Sequence, residues 1–295
     1  LTLTAETRAD RAGLGIVLML LAWAFFASVD TAAKWLALLG VPALQLAFMR
    51  YAVSFGLSLT MGIRKGAFFE WPDTRVMGLV VLRAVLLILA TVLNFTALAY
   101  LPLAVTATLM NSAPLILTAL AVPLLGERVG PFRWAAVILG FVGVVVVIRP
   151  LDGAFHWASL LVLINATALA LFAILTRLLS GRIATQTMQL YMGAIGTAAL
   201  ILPALAVWQM PQTALEWGLL FSLGAFAWTG HEIYSRAHAF AEASVLVPFN
   251  YAFIVYLTIA GYLVFDDIPE APVLFGAAII IASGLIVWWR ETSLR

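Results

Sequence analysis

The chain has no cysteine, which removes disulfides, thiolate nucleophiles and thiolate-bound metals at a stroke. Charge is scarce as well: Asp, Glu, Lys and Arg supply 10% of the residues, against about 25% in an ordinary soluble domain. There is no Walker A glycine loop, so direct drive by a nucleotide is excluded, and no cofactor or metal is expected. A net charge of +2 with a pI of about 9.1 does not suit nucleic acid, because the basic residues stand at the ends of apolar runs and form no patch. No polar stretch is long enough to fold as a separate domain.

What the chain does have is apolar sequence, 64% of the total. It falls into ten runs near 14–39, 43–63, 75–99, 103–125, 131–149, 154–179, 185–208, 213–238, 243–264 and 270–289, each close to the roughly 20 residues a bilayer span needs. Lipid satisfies no backbone amide, so only helices or a closed barrel can span it. The runs exceed barrel-strand length and do not alternate. The expected fold class is therefore an all-α integral membrane protein of ten transmembrane helices, and its first partner is the lipid bilayer. The first run is too long for the apolar core of a signal peptide and is expected to stay as a helix.

Basic residues set the orientation. Arg8, Arg11, Arg64, Lys65, Arg75, Arg128, Arg133, Arg177, Arg182, Arg236, Arg290 and Arg295 fall on one side, and Arg149 alone on the other. Both termini are thus expected in the cytoplasm of a bacterial-type cell, with the chain in the inner (plasma) membrane. Trp71, Trp134, Trp157, Trp217, Trp288 and Trp289 lie at span ends, as an interfacial aromatic belt would.

The chain also repeats itself. Gln45-Leu46 aligns with Gln189-Leu190, Lys34-Trp35-Leu36 with Arg177-Leu178-Leu179, Ala104 through Asn111 with Ala243 through Asn250, and Glu127 with Asp266. Five spans per half is an odd number, so the second half is expected upside down. The organisation read from this is a tail at 1–13, a first five-helix repeat at 14–150 and an inverted second repeat at 151–295. Inverted repeats accompany alternating access around a central site.

The stretch Ala104-Val-Thr-Ala-Thr-Leu-Met-Asn-Ser-Ala-Pro114, the turn Leu125-Gly126-Glu127-Arg128, then Trp134 and Gly140-Phe-Val-Gly143-Val resemble the fourth and fifth spans of the EamA family, part of the drug/metabolite transporter superfamily. In the second half Phe265-Asp266-Asp267 stands where that family often has a Glu-Arg pair. The resemblance implies a central cavity formed by spans 1–4 and 6–9, with spans 5 and 10 at the periphery. It also implies movement of amino acids, related metabolites or drugs, often outward. Aromatic amino acid exporters of the YddG type are similar in length and layout.

Charge inside a span costs at least about 2.5–3.5 kcal/mol at a helix centre, so such groups face protein or water. Asp30, Lys34, Arg50, Arg83 and Glu232 are the intramembrane charges. Asp30 and Lys34, four apart, are spaced to pair on their own helix. Arg83 shares a face with Asn94, and its planar fork suits a substrate carboxylate. His231 and Glu232 in span 8 either carry a coupling proton, as Asp30 also can, or serve as partners for Arg83 or Arg50. Asn94, Asn111 and Asn250 are either interhelical glue or cavity residues; the repeat pairs Asn111 with Asn250 near mid-span, which favours the cavity. Pro114 and Pro248 bend the repeat-mated spans 4 and 9, as fixed kinks or as hinges. The expected substrate site is Arg83, Asn94, Asn111 and Asn250 with Trp23 and Tyr251 as aromatic walls, around a small-molecule substrate. Gly140, Gly143, Gly276 and Gly284 suit close helix packing, within the chain or in a homodimer.

The expected function is secondary transport of small organic solutes, amino acids foremost and nucleosides or organic cations next. An intramembrane enzyme needs converging catalytic groups, and the adjacent His231 and Glu232 diverge by about 100° on a helix. A channel needs a ring of like residues, and none is apparent.

Overall fold

A computed structural model describes residues 5–64, 72–126, 129–151 and 155–293. Lys65, Trp71, Glu127, Arg128 and Arg295 lie outside the described residues, as do the side chains of Arg8, Arg11 and Arg64. The described chain is helical throughout. In order it forms α1 (Ala5–Leu38), α2 (Ala43–Arg64), α3 (Thr74–Leu98), α4 (Leu103–Met110), α5 (Ala113–Leu125), α6 (Pro131–Ile148) and α7 (Ala158–Leu179). Then come α8 (Thr185–Ala206), α9 (Ala214–Phe240), α10 (Ala243–Leu246), a 3-10 turn (Val247–Tyr251), α11 (Ala252–Phe265) and α12 (Ala271–Ser293).

Nine segments among the described residues are long and apolar enough to cross a membrane. The tenth expected span is α9. Its 27 residues reach about 40 Å at about 1.5 Å per residue, but Glu216, Glu232 and Arg236 dilute its hydropathy. It tolerates them because it packs along α1 and α2. Its start is built by Thr213, whose Oγ1 accepts from the Glu216 amide at 3.2 Å, while the Glu216 carboxylate accepts from Gln212 N at 2.7 Å. This side-chain exchange satisfies amides that the helix itself leaves open. Asp73 caps α3 in the same way, accepting from Val76 N at 2.9 Å.

Spans 4 and 9 are broken rather than merely bent. α4 stops at Met110, Asn111 caps it, Ser112 opens α5, and Pro114 sits in the first turn of α5. Its repeat mate runs as α10, the 3-10 turn carrying Pro248 and Asn250, and then α11. A proline within a helix removes a backbone bond and clashes with the turn before it, so Pro114 and Pro248 each stand at the start of a new segment, while Pro123 lies inside α5.

The helices interlock across the two halves of the chain. The most extensive pairings are α1 with α9, α3 with α7, α6 with α12 and α2 with α8. In repeat terms these are spans 1 and 8, 3 and 6, 5 and 10, and 2 and 7, the set that a twofold exchange of halves maps onto itself. α6 and α12 approach backbone to backbone: a Cβ on Gly143 would stand 2.9 Å from Gly276 O, and one on Gly276 2.7 Å from Gly143 O. Ser283 Oγ closes the contact by donating to Ala136 O at 2.6 Å. Gly140 is filled by Leu115, and Gly284 by the Tyr251 hydroxyl. The glycine faces are thus used inside the chain, leaving none of these four for close packing against a second copy.

Candidate functional site

The two ends of the bundle differ. At one end three contacts join separate segments. Lys34 Nζ donates to Asp267 Oδ2 at 2.6 Å and to Leu101 O at 3.2 Å, lying over the Phe265 ring. Gln45 Nε2 donates to Gln209 O and Gln45 Oε1 accepts from Gln209 N, both at 2.8 Å. Arg149 meets Glu270 at 2.6 Å. At the other end the C-terminal parts of α2 and α9 and the start of α8 enclose a cavity of about 750 Å³. Ser58, Thr185, Gln186, Gln189 and Ser235 give it uncharged hydrogen-bonding groups, and Trp228 and Tyr234 give it aromatic walls.

Between these ends lies a layer of buried polar side chains. Asn94 Nδ2 donates to Asp30 Oδ1 at 3.1 Å, and Asn165 Nδ2 donates to Asn94 Oδ1 at 3.4 Å, linking α1, α3 and α7. Arg50 reaches Thr91 Oγ1, which also meets the Tyr51 hydroxyl at 3.0 Å. Arg83 Nε donates to Thr176 Oγ1 at 2.7 Å, with its guanidinium 4.2 Å from the centre of the Phe172 ring. Interhelical hydrogen bonds in a bilayer average about 0.6 kcal/mol, so no single one sets stability; together they turn these faces inward, away from lipid.

Several expected placements change. Asp30 does not pair with Lys34. The lysine, at the end of α1, reaches Asp267 after α11, while Asp30, one turn deeper, meets Asn94. Helical spacing permits the intrahelical pair, but a neighbouring helix offers each group a better partner. Glu232 pairs with Arg236 on its own helix at 2.9 Å and reaches neither Arg83 nor Arg50. Its quarter-turn offset from His231 carries it into the cavity wall instead.

The six expected substrate residues fall into separate groups. Arg83 and Asn94 belong to the α3–α7 seam, each no more than 7% exposed. Trp23 Nε1 donates to Asn250 Oδ1 at 3.0 Å, and Trp23 packs edge-on against Tyr234 at 6.2 Å, so this pair stands directly behind the cavity wall. Asn111 turns its amide back to Ala107 O at 2.9 Å, and Tyr251 packs on Gly284. None of the six is among the described residues lining the cavity. His231 packs edge-on against Phe26 at 4.9 Å. Pro114 and Pro248 sit at the two span breaks.

Ser58, Thr185, Gln186 and Trp228 carried no signal in the sequence, whereas Ser235 falls on the small, polar face of span 8 that also holds His231 and His238. Another signal was available: Gln189 is the repeat partner of Gln45, and Gln45 is the residue that closes the opposite end. Arg50 and Tyr51 of the Arg50–Thr91–Tyr51 node stood out in the sequence as a charge and a deep aromatic, but Thr91, which joins them, is not unusual in an apolar run.

Comparison with known proteins decides the class. A model of the EamA-like transporter family matches residues 13–149. A riboflavin transporter from Vibrio cholerae is 32% identical over 288 residues, covering 95% of each chain. The chain belongs to the EamA-like transporter family. An S-adenosylmethionine uptake transporter from Rickettsia bellii is 32% identical over 187 residues, 63% of this chain and 64% of its own. One crystal structure superposes with a TM-score of 0.66 at 17% identity, covering 97% of this chain and 99% of that one; at that identity the likeness concerns the fold alone. This EamA-like protein is a multi-pass membrane transporter of small solutes and not an enzyme.

Proposed function

We propose that this protein carries planar nitrogen heterocycles bearing a hydroxylated side chain, the riboflavin class, by alternating access between two inverted five-helix halves, 14–150 and 151–295. The cavity carries the reading. Its volume of about 750 Å³ falls within the 300–1,000 Å³ or so typical of sites for drug-sized ligands. Trp228 and Tyr234 offer ring faces for stacking. Ser58, Thr185, Gln186, Gln189 and Ser235 offer neutral donors and acceptors for hydroxyls, while the charged pair of the wall, Glu232 and Arg236, is engaged with itself at 2.9 Å. Arg83, the expected carboxylate partner of an amino acid, already donates to Thr176 and stacks on Phe172. Relatives support the same class. Riboflavin, named for the first relative above, joins a flat heterocycle to a hydroxylated five-carbon chain; S-adenosylmethionine, named for the second, shares a flat heterocycle and a hydroxylated five-carbon unit but adds a carboxylate and an ammonium.

In this reading Trp23 and Asn250 brace the aromatic wall from behind, and Arg83 and Asn94 hold the seam that opens and closes. The clasped end faces outward and the cavity faces the cytoplasm, where both termini lie. A cysteine placed at position 2 or 294 should then resist an impermeant thiol reagent in intact cells and react after permeabilisation; reaction in intact cells would reverse the orientation.

The function is tested in proteoliposomes with riboflavin, S-adenosylmethionine, tryptophan and an organic cation such as choline. Saturable riboflavin flux, reduced by Trp228→Ala and Gln189→Ala, is the expected result. Faster movement of tryptophan with riboflavin inert would overturn this reading in favour of the amino acid export that the family resemblance implies. The same vesicles, loaded or empty, give the direction of net flux.

A further inference from the structure

Among the described residues three buried side-chain polar atoms lack a hydrogen-bond partner: Asp30 Oδ2, Arg50 Nε and His231 Nε2. They come from α1, α2 and α9. Asp30 is the one that binds a proton or leaves its charge unpaired within the membrane. It is 6% exposed, at the seam of α1 with α3. Oδ1 accepts from Asn94, which is itself held by the 1%-exposed Asn165 of α7, so the carboxyl is oriented from one side only. Oδ2 points into protein with no donor.

The groups around it do not neutralise it permanently. Lys34, one turn along α1, is taken by Asp267 and Leu101. From α2, Arg50 is bonded to Thr91, beside the Tyr51 hydroxyl. From α3, Arg83 is held by Thr176 and Phe172. From α9, His231 faces the Trp23–Phe26 side of α1, packed on Phe26 one turn from Asp30. A buried carboxylate without an ion-pair partner is costly in a bilayer, and taking one proton at Oδ2 removes that cost. Asn94, which donates to Oδ1, serves the carboxylate and the acid alike.

The cavity comes within one apolar ring of the site. Glu232 and Tyr234 line the cavity, His231 adjoins Glu232, and Phe26, packed on His231 one turn from Asp30, carries no proton itself, so access requires that this ring move. His231 and Asn165 belong to the second half of the chain and Asp30 to the first. Rocking of the halves therefore changes what faces Asp30.

We propose that the Asp30 carboxyl is the proton site that couples solute movement to a proton gradient, binding one proton at Oδ2 in one access state and releasing it in the other. The step is a simple protonation of carboxylate to carboxylic acid and needs no other reactant. The proposal rests on the transporter reading but not on riboflavin being the solute.

The test uses the full chain in proteoliposomes as wild type, Asp30→Asn and Asp30→Glu. Three readouts are compared: riboflavin accumulation under an imposed pH gradient, exchange of labelled for unlabelled riboflavin at equal pH, and the pH titration of carboxyl C=O bands by infrared difference spectroscopy. Asp30→Asn should lose gradient-driven accumulation while keeping exchange, and should lose a carboxyl band that titrates in the wild type. Asp30→Glu should keep accumulation with a displaced pH dependence. Undiminished gradient-driven accumulation in Asp30→Asn, or a wild-type spectrum with no titrating band assignable to Asp30, would overturn the proposal. If riboflavin is not moved at all, the substrate reading fails alone, and the infrared titration, which needs no solute, still decides Asp30. If Asp30→Asn does not insert, wild type and Asp30→Glu decide by the shift of band and accumulation profile together.

Discussion

Gln45 and Gln189 occupy matching places in the two halves, yet one is tied and the other is not. Gln45 exchanges two 2.8 Å hydrogen bonds with the backbone of Gln209 and seals its end of the bundle. Gln189 lines an open cavity at the other. The same carboxamide is a latch where a loop backbone meets it and a solute contact where none does. What separates the two ends is therefore conformation, not residue type. The state described has one face latched and one accessible, and the opposite state requires the Gln45–Gln209 exchange, the Lys34–Asp267 pair and the Arg149–Glu270 pair to open together.

That contrast is most directly broken by fixing the latch. Gln45→Cys with Gln209→Cys should cross-link in a chain that has no other thiol, and transport should then stop completely and return on reduction. Continued flux after full cross-linking would mean that this end never opens. Next in size is Arg83→Ala, expected to slow transport by about tenfold, equivalent to roughly 1.4 kcal/mol on the rate-limiting step. Arg83→Lys should recover only part, since an ammonium keeps the charge but loses the planar stack on Phe172. Wild-type flux in Arg83→Ala would leave the α3–α7 seam without a part in transport. A smaller effect is expected from Asp267→Asn, which loosens the latched end without cutting it. Labelling of a cysteine at Gln189 should slow as the population moves toward the opposite state, and unchanged labelling would make the Lys34 contact incidental. Least of all, Pro114→Ala and Pro248→Ala should lower turnover a few-fold with little change in apparent affinity; equal turnover in both would reduce the breaks to static kinks.

The span count and the all-helical class were legible because lipid imposes them on sequence directly. A bend in spans 4 and 9 was legible through Pro114, Pro248 and the repeat, but not that each span divides into separate helices there. Partners were not. Periodicity placed Asp30 and Lys34 on one face, but which helix lies across that face is decided by packing, and packing awarded Lys34 to Asp267 and Asp30 to Asn94. In a soluble helix an apolar stripe points to the core. A membrane helix is apolar all round, so that pointer is lost. Hence Arg83, Asn94, Asn111 and Asn250 were recognisable as inward-facing but not divisible into seam, brace and cap. The cavity was the least legible part. Ser58, Thr185 and Gln186 are ordinary residues at helix ends, and only the open geometry gives them a joint role.

The pairing of helices across halves bears on how the protein is made. α1 leans on α9, α3 on α7 and α6 on α12, so nearly every large interface joins an early segment to a late one. A ribosome delivers the first five spans well before the last five. During that interval Asp30, Gln45 and Arg83 have no final partners, and the bilayer offers poor substitutes. The nascent first half must wait near the translocon, or be sheltered by a chaperone, until α9 arrives. A chain cut near residue 150 should accordingly be degraded when expressed alone and rescued when the second half is supplied in the same cell.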